Sequence, residues 1–279
     1  MTLIVGAIDT RTGAVHLAGD TKVTWDNNPT NSRKIYKHPA LKIIRLSDDL
    51  AVGYAGAGPD TLAREIAKLS GIGSEAVLAG LQAIGGATFI VAARSPARLW
   101  MVRDGEWAEM TNQGLVIAGD DEEFDESTVF DVVRSRYDDR PDDDAGSRLM
   151  STMQHVIQLV RPSSIGGLLV MISASEERGF HYEATPSTNF EAIYPGEVVE
   201  RPMRLHTLPG TGETPGAVAF WIENAGVGHL FRDGEPDVRR EMKVATAEQF
   251  AAQARESFGQ SLLVPTEDAL TAFLRQIVG

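Results

Sequence analysis

The feature that most constrains the fold of this 279-residue chain is the order in which two hydrophobic periods alternate along it. Apolar runs at Leu3–Ile8 and 14–18 flank the turn-rich Asp9-Thr10-Arg11-Thr12-Gly13, which predicts a β-hairpin at the start of the chain. A second strand pair is expected at 41–46 and 51–54, around Ser47-Asp48-Asp49. Leu62, Ile66 and Leu69 then recur at helical spacing behind Pro59 and Asp60, and a second helix is expected over 74–84. Strand character returns at 88–92, 98–103, 106–110 and 115–118, with Asp104-Gly105 as a hairpin turn. Helices at 127–137 and 148–160 precede strands at 168–172 and 180–184. Strands, helices, strands, helices, strands is the order of two packed antiparallel sheets with helices outside.

From Tyr194 onward prolines 195, 202, 209 and 215 interrupt the pattern before strands at 217–223 and 228–232 and helices at 247–258 and 267–277. The expected division is therefore a domain over 2–193 and an extension over 194–279 of unknown role.

Composition removes several functions. The chain has no cysteine, so disulfides, thiol nucleophiles and thiolate metal sites are excluded together. A net charge of −13 repels a phosphate backbone, so nucleic acid is not an expected partner. The six histidines are scattered singly rather than at zinc-ligand spacing, and no metal or other cofactor is expected. The acidic runs 120–126 and 138–144 lack the ligand periodicity of a calcium loop and read as solvated helix ends. With no signal peptide and no membrane-spanning apolar stretch, a soluble cytoplasmic protein is expected.

Any nucleophile must then be an oxygen or an amine. Thr2 follows Met1 directly and opens the first strand, and a small residue there permits removal of Met1. A threonine with a free α-amine holds nucleophile and base in one residue. Three further segments stand in order behind it: 17–24, Leu-Ala-Gly-Asp-Thr-Lys-Val-Thr; 32–37, Ser-Arg-Lys-Ile-Tyr-Lys; and 52–60, Val-Gly-Tyr-Ala-Gly-Ala-Gly-Pro-Asp.

This constellation resembles proteasome β-subunits and the peptidase of the bacterial heat-shock ATP-dependent protease. The resemblance implies a four-layer αββα sandwich of two antiparallel sheets, the fold of N-terminal-nucleophile (Ntn) hydrolases, with a C-terminal extension added. It implies Thr2 as nucleophile, Asp20 as buried carboxylate, Lys34 as the cation beside the threonine hydroxyl, and Gly56 as an oxyanion-hole N–H. Thr24 would pair with the substrate backbone, while Val23 and Tyr54 would line the pocket for the residue before the scissile bond. It further implies a peptide or protein substrate and a homo-oligomer in ring or helical form, and leaves open whether an ATPase partner feeds it.

Two segments depart from the family pattern. Val116-Ile117-Ala118-Gly119-Asp120 stands where a Gly-Ser-Gly turn is usual. Arg161-Pro162-Ser163-Ser164-Ile165-Gly166-Gly167 puts proline and isoleucine at the places of an aspartate and a serine, with Ser163 or Ser164 as possible accessory groups after a one-residue shift. These departures leave a second expectation open, a catalytically weak or inactive homo-oligomeric scaffold or binding protein on the same fold. A nucleotide-binding reading of Gly53, Gly56 and Gly58 fails on spacing and on the antiparallel character of the strands.

Overall fold

The structure, a computed structural model, describes residues 2–25, 35–119, 123–124, 127–160, 164–183, 188–191, 203–209, 217–232, 235–262 and 264. The chain runs β1 (Leu3–Ile8), β2 (Val15–Asp20), β3 (Lys22–Trp25), β4 (Ile35–Pro39), β5 (Ile43–Arg45), β6 (Leu50–Gly56), α1 (Pro59–Ala67) and α2 (Ser74–Gln82). There follow β7 (Ala87–Ala93), β8 (Arg98–Arg103), β9 (Glu106–Glu109), β10 (Leu115–Gly119), β11 (Glu123–Phe124), β12 (Ser127–Thr128), α3 (Val129–Asp138) and α4 (Ala145–His155). Last come β13 (Leu169–Ala174), β14 (His181–Tyr182), β15 (Thr188–Glu191), β16 (Met203–Pro209), β17 (Ala217–Ile222), β18 (Val227–Arg232), β19 (Glu235–Lys243) and α5 (Ala247–Phe258). The class is mixed α+β, with antiparallel sheets throughout the described residues.

Among the described residues three five-stranded sheets carry the fold, in the orders β10-β1-β2-β13-β14, β5-β6-β7-β8-β9 and β15-β16-β17-β18-β19. Because successive side chains of a strand point to opposite faces, β1 is buried on both sides. Leu3, Val5 and Ala7 pack with Val133, Leu149 and Met153 of α3 and α4. Ile4 and Ile8 pack with Ile43, Ile90 and Leu99 of the second sheet. The second sheet's other face, with Val52, Phe89 and Trp100, is covered by Leu62 and Ile66 of α1 and Leu78 and Leu81 of α2. Ile4 is seated between two glycines: a Cβ on Gly53 would lie 2.4 Å from its Cγ2, and one on Gly19 2.6 Å from its Cδ1. That absence of side chains lets the two sheets approach closely around Ile4, two residues from Thr2.

Helix ends follow local chemistry. The acidic run 138–144, read as solvated helix ends, contains the N-cap of α4: Asp144 accepts from the Ser147 N–H. This cap explains why α4 begins at Ala145 and not near 148. Thr128 and Asp131 form a capping box at the start of α3. The Asp104-Gly105 turn holds both residues at positive φ, 53° and 78°, the conformation a two-residue hairpin requires.

The third sheet begins before 194, since β15 already pairs with β16. It has two different faces. Ala219, Trp221 and Leu230 pack under α5 against Phe250 and Ala254, whereas Val218, Phe220, Ile222 and Phe231 join the apolar cluster that lies between the first two sheets. The extension is thus continuous with the main core. The helix expected at 267–277 lies outside the described residues.

Histidines buried in this framework make it sensitive to acid. Burial, with Arg239 and His38 adding to it, pushes His229 down to about 4 from 6.5. Burial also lowers His16, against the opposing pull of Glu183, Asp144 and Asp9, and lowers His155. In each case the unfolded chain takes up its proton first, so this contribution is fully present above pH 6.5 and is lost as the pH falls, for His229 toward 4. For His229 alone, roughly 2 kcal/mol should be gone by pH 5. Urea midpoints measured from pH 7.5 to 4.5 should fall across this window, and His229→Gln should flatten the slope. A midpoint unchanged down to pH 5 would contradict the assignment.

Candidate active site

The site is built at one end of β1 and β2. In the hairpin register Ile4 faces Gly19, which sets the Leu3 N–H beside Asp20 at the last position of β2. Asp20 is 1 % exposed and its carboxylate is saturated. Oδ1 accepts from the Leu3 N–H and from Lys42 Nζ, each at 3.0 Å. Oδ2 accepts from the N–H groups of Lys22 and Gly166, each at 3.2 Å. Four donors match the four lone-pair sites of a carboxylate, so Asp20 is fixed in rotation as well as in position.

The cation on Asp20 is Lys42, which the sequence reading did not single out. Lys42 is 3 % exposed, and its ammonium also donates to the Lys22 carbonyl at 2.6 Å. Lys42 is the residue just before β5, and its carbonyl accepts from the Tyr54 N–H, which fixes the backbone there. Lys34, read as the cation, lies outside the described residues, as does Ser163.

Thr2 is 2 % exposed and one residue from the Leu3 N–H that Asp20 holds. The ammonium of Lys42 and the Leu3 nitrogen bind the same oxygen, so they are at most twice 3.0 Å apart. Gly119 closes over the Thr2 backbone: it pairs with Leu3, its φ is 133°, and a Cβ there would lie 1.8 Å from the Thr2 carbonyl oxygen. The loop before β13 completes the floor. Gly166 exchanges hydrogen bonds with the Asp20–Lys22 segment, Leu168 N–H donates to Thr21 Oγ1 at 2.8 Å, and Ser164 is buried.

Other expected residues are placed differently. Tyr54, expected to line the pocket, is 1 % exposed and packs in the core under α1 and α2. Its hydroxyl lies within hydrogen-bond distance of the Leu41 and Pro59 carbonyls, and burial pushes its pKa up. The physical reason is strand alternation, since Ala55 next to it packs toward the other sheet. Gly56 ends β6 at half-burial, and a Cβ there would lie 2.7 Å from that of Ala87 and 2.9 Å from the Gly86 carbonyl oxygen. Packing against β7 therefore already demands glycine. Val23 is half-buried on β3 opposite His38, and the backbone of Thr24 continues β3 across a register shift. Ile165, which stands where the resemblance expects a serine, is buried among the residues under α3 and α4.

A buried carboxylate saturated by donors, an ammonium held on it, and a threonine at the start of the adjoining strand can together support nucleophilic chemistry at a hydroxyl. No family model matches the chain, and no curated protein matches it. Among the described residues, no helix is long and apolar enough to cross a membrane.

Proposed function

We propose that the chain is a threonine-type peptidase or amidase on an Ntn-hydrolase αββα sandwich, with Thr2 as nucleophile after removal of Met1. The observation that carries this reading is the shared oxygen of Asp20, which binds both the backbone next to Thr2 and the ammonium of Lys42. Lys42, rather than Lys34, then serves as the cation of the site.

In this mechanism the free α-amine of Thr2 takes the proton from its own hydroxyl as the oxygen attacks the substrate carbonyl. The ammonium of Lys42 favours the oxygen's developing negative charge. Asp20 holds that ammonium and cannot rotate away, because its remaining lone pairs are engaged by Lys22 and Gly166. The Gly56 N–H stabilises the oxyanion, and β3 receives the peptide as an added strand through Thr24, with Val23 lining the pocket before the scissile bond. The proton passes from the amine to the leaving amine, and water then releases the acyl group by the same route reversed.

One feature supports the alternative of a weak or silent member. Ile165 offers the amine no hydrogen bond and its side chain is turned into the core. Ser164, buried one residue earlier, is the remaining hydroxyl of that loop among the described residues.

The test is turnover of a mixed set of fluorogenic peptide amides. Wild type should hydrolyse some of them slowly, Thr2→Ala should lose at least about 1000-fold, and Thr2→Ser should retain part of the rate. Equal turnover by wild type and Thr2→Ala would overturn the assignment of the nucleophile. Its complete absence from a correctly processed, folded protein would favour the scaffold reading.

A further inference from the structure

The proposed mechanism leaves unused a buried histidine and a half-buried arginine on the third sheet. His229 of β18 is 4 % exposed, and its Nδ1 has no hydrogen-bond partner among the described residues. Nη1 of Arg239, on the neighbouring strand β19, is likewise buried without a partner among them. A buried donor without an acceptor is costly, and more so for a charged group. The charges that act on His229 are those of Arg239 and His38, both of which disfavour a further positive charge. Glu241, the cross-strand neighbour of His229, is exposed.

The face matters as much as the charge. His229 lies opposite Phe220, and Phe231 lies two residues on, so His229 shares the face that joins the main core. His38, whose charge reaches His229, stands directly opposite Val23 in the β3–β4 ladder. Directly opposite residues of an antiparallel pair lie on one face with Cβ atoms about 5 Å apart. The charge of His38 therefore links His229 of the third sheet to the β3 position across the ladder, Val23.

One fixed guanidinium charge beside a neutral imidazole matches a single carboxylate, whose two oxygens can accept from both. We propose that Arg239 and His229, with His38 beside them, form a carboxylate-recognition site that selects peptides with an acidic side chain immediately before the scissile bond. The substrate assignment rests on the peptidase reading above; the carboxylate site itself does not. The extension is then part of the specificity pocket.

Two measurements separate these claims. In the first, the full chain carrying Thr2→Ala is melted with N-acetylglutamate amide or with the isosteric N-acetylglutamine amide. The acid should raise the midpoint and the amide should not, and Arg239→Gln should abolish the difference. In the second, wild type is given peptides that differ only by Glu against Gln before the scissile bond. A preference of about 10- to 100-fold in kcat/KM for Glu is expected, falling to near unity in Arg239→Gln and partly kept in Arg239→Lys. His229→Gln carries the same test should Arg239→Gln fold poorly. A selective shift by the acid without any turnover would sink the peptidase reading and leave the carboxylate site standing. Turnover without preference for Glu would overturn the substrate assignment alone. If neither compound shifts the midpoint, or if Arg239→Gln lowers it sharply with no ligand effect because a carboxylate of the chain itself holds the arginine, the inference is wrong.

Discussion

Lys42→Met is expected to destabilise the protein by about 3–5 kcal/mol and, under the proposed function, to remove nearly all turnover. The stability loss arises because the substitution leaves Asp20, 1 % exposed, as a buried carboxylate without its ammonium, while the Lys22 carbonyl loses a donor at 2.6 Å. Backbone donors from Leu3, Lys22 and Gly166 stay in place, so folding is weakened rather than abolished. Urea unfolding followed by circular dichroism measures this directly. A midpoint equal to that of wild type would mean that the pair is not formed. Lys34→Met, run in parallel, distinguishes the cation read from motif order from the one found on Asp20.

The second large effect is expected from Gly119→Ala. A Cβ there would fall 1.8 Å from the Thr2 carbonyl oxygen and 2.8 Å from its carbon, at a φ of 133° that L-residues rarely adopt. Both obstructing atoms are backbone, so no rotamer change relieves the clash and β1 or β10 must move. We expect a loss of about 3 kcal/mol or more, together with loss of turnover because Thr2 itself is displaced. Gly13→Ala is the control: its φ is 70° with nothing within 4 Å of the added carbon, so only about 1 kcal/mol of conformational cost is expected there. Equal effects of the two substitutions would contradict the close packing of Gly119 on Thr2.

Much of the fold was legible because local signals agreed with each other. Leu3–Ile8, Arg98–Arg103 and Ala247–Phe258 stand where periodicity predicts them. The third sheet was only half legible. β17 and β18 are apolar runs, but β19 reads Glu-Pro-Asp-Val-Arg-Arg-Glu-Met-Lys, the charged pattern of an edge strand, and its apolar alternation over Pro236, Val238 and Met242 is broken by Arg240. The prolines near 194–215 suggested a break, yet the strands on either side of them pair into one sheet whose inner face belongs to the main core.

The candidate site was legible in part for a different reason. Asp20 closes β2, and its saturation by four donors is a tertiary property that no window of sequence displays. Lys42 sits between Leu41 and Ile43, where a lone lysine in an apolar run reads as a solvated strand position. Only the crossing of this segment over the end of β2 turns its ammonium inward. Tyr54 shows the limit of periodicity from the other side: alternation places it on one face of β6, but both faces are buried, so the pattern cannot tell core from pocket.

The central claim, that Thr2 is a nucleophile served by Asp20 and Lys42, is tested most directly by intact-mass and fragment analysis after exposure to an electrophile directed at N-terminal threonine. The account predicts a chain beginning at Thr2 and carrying one adduct on that residue, with the adduct lost in Thr2→Ala and strongly slowed in Lys42→Met. Quantitative retention of Met1, or a processed and folded chain that carries no adduct at Thr2, would contradict it.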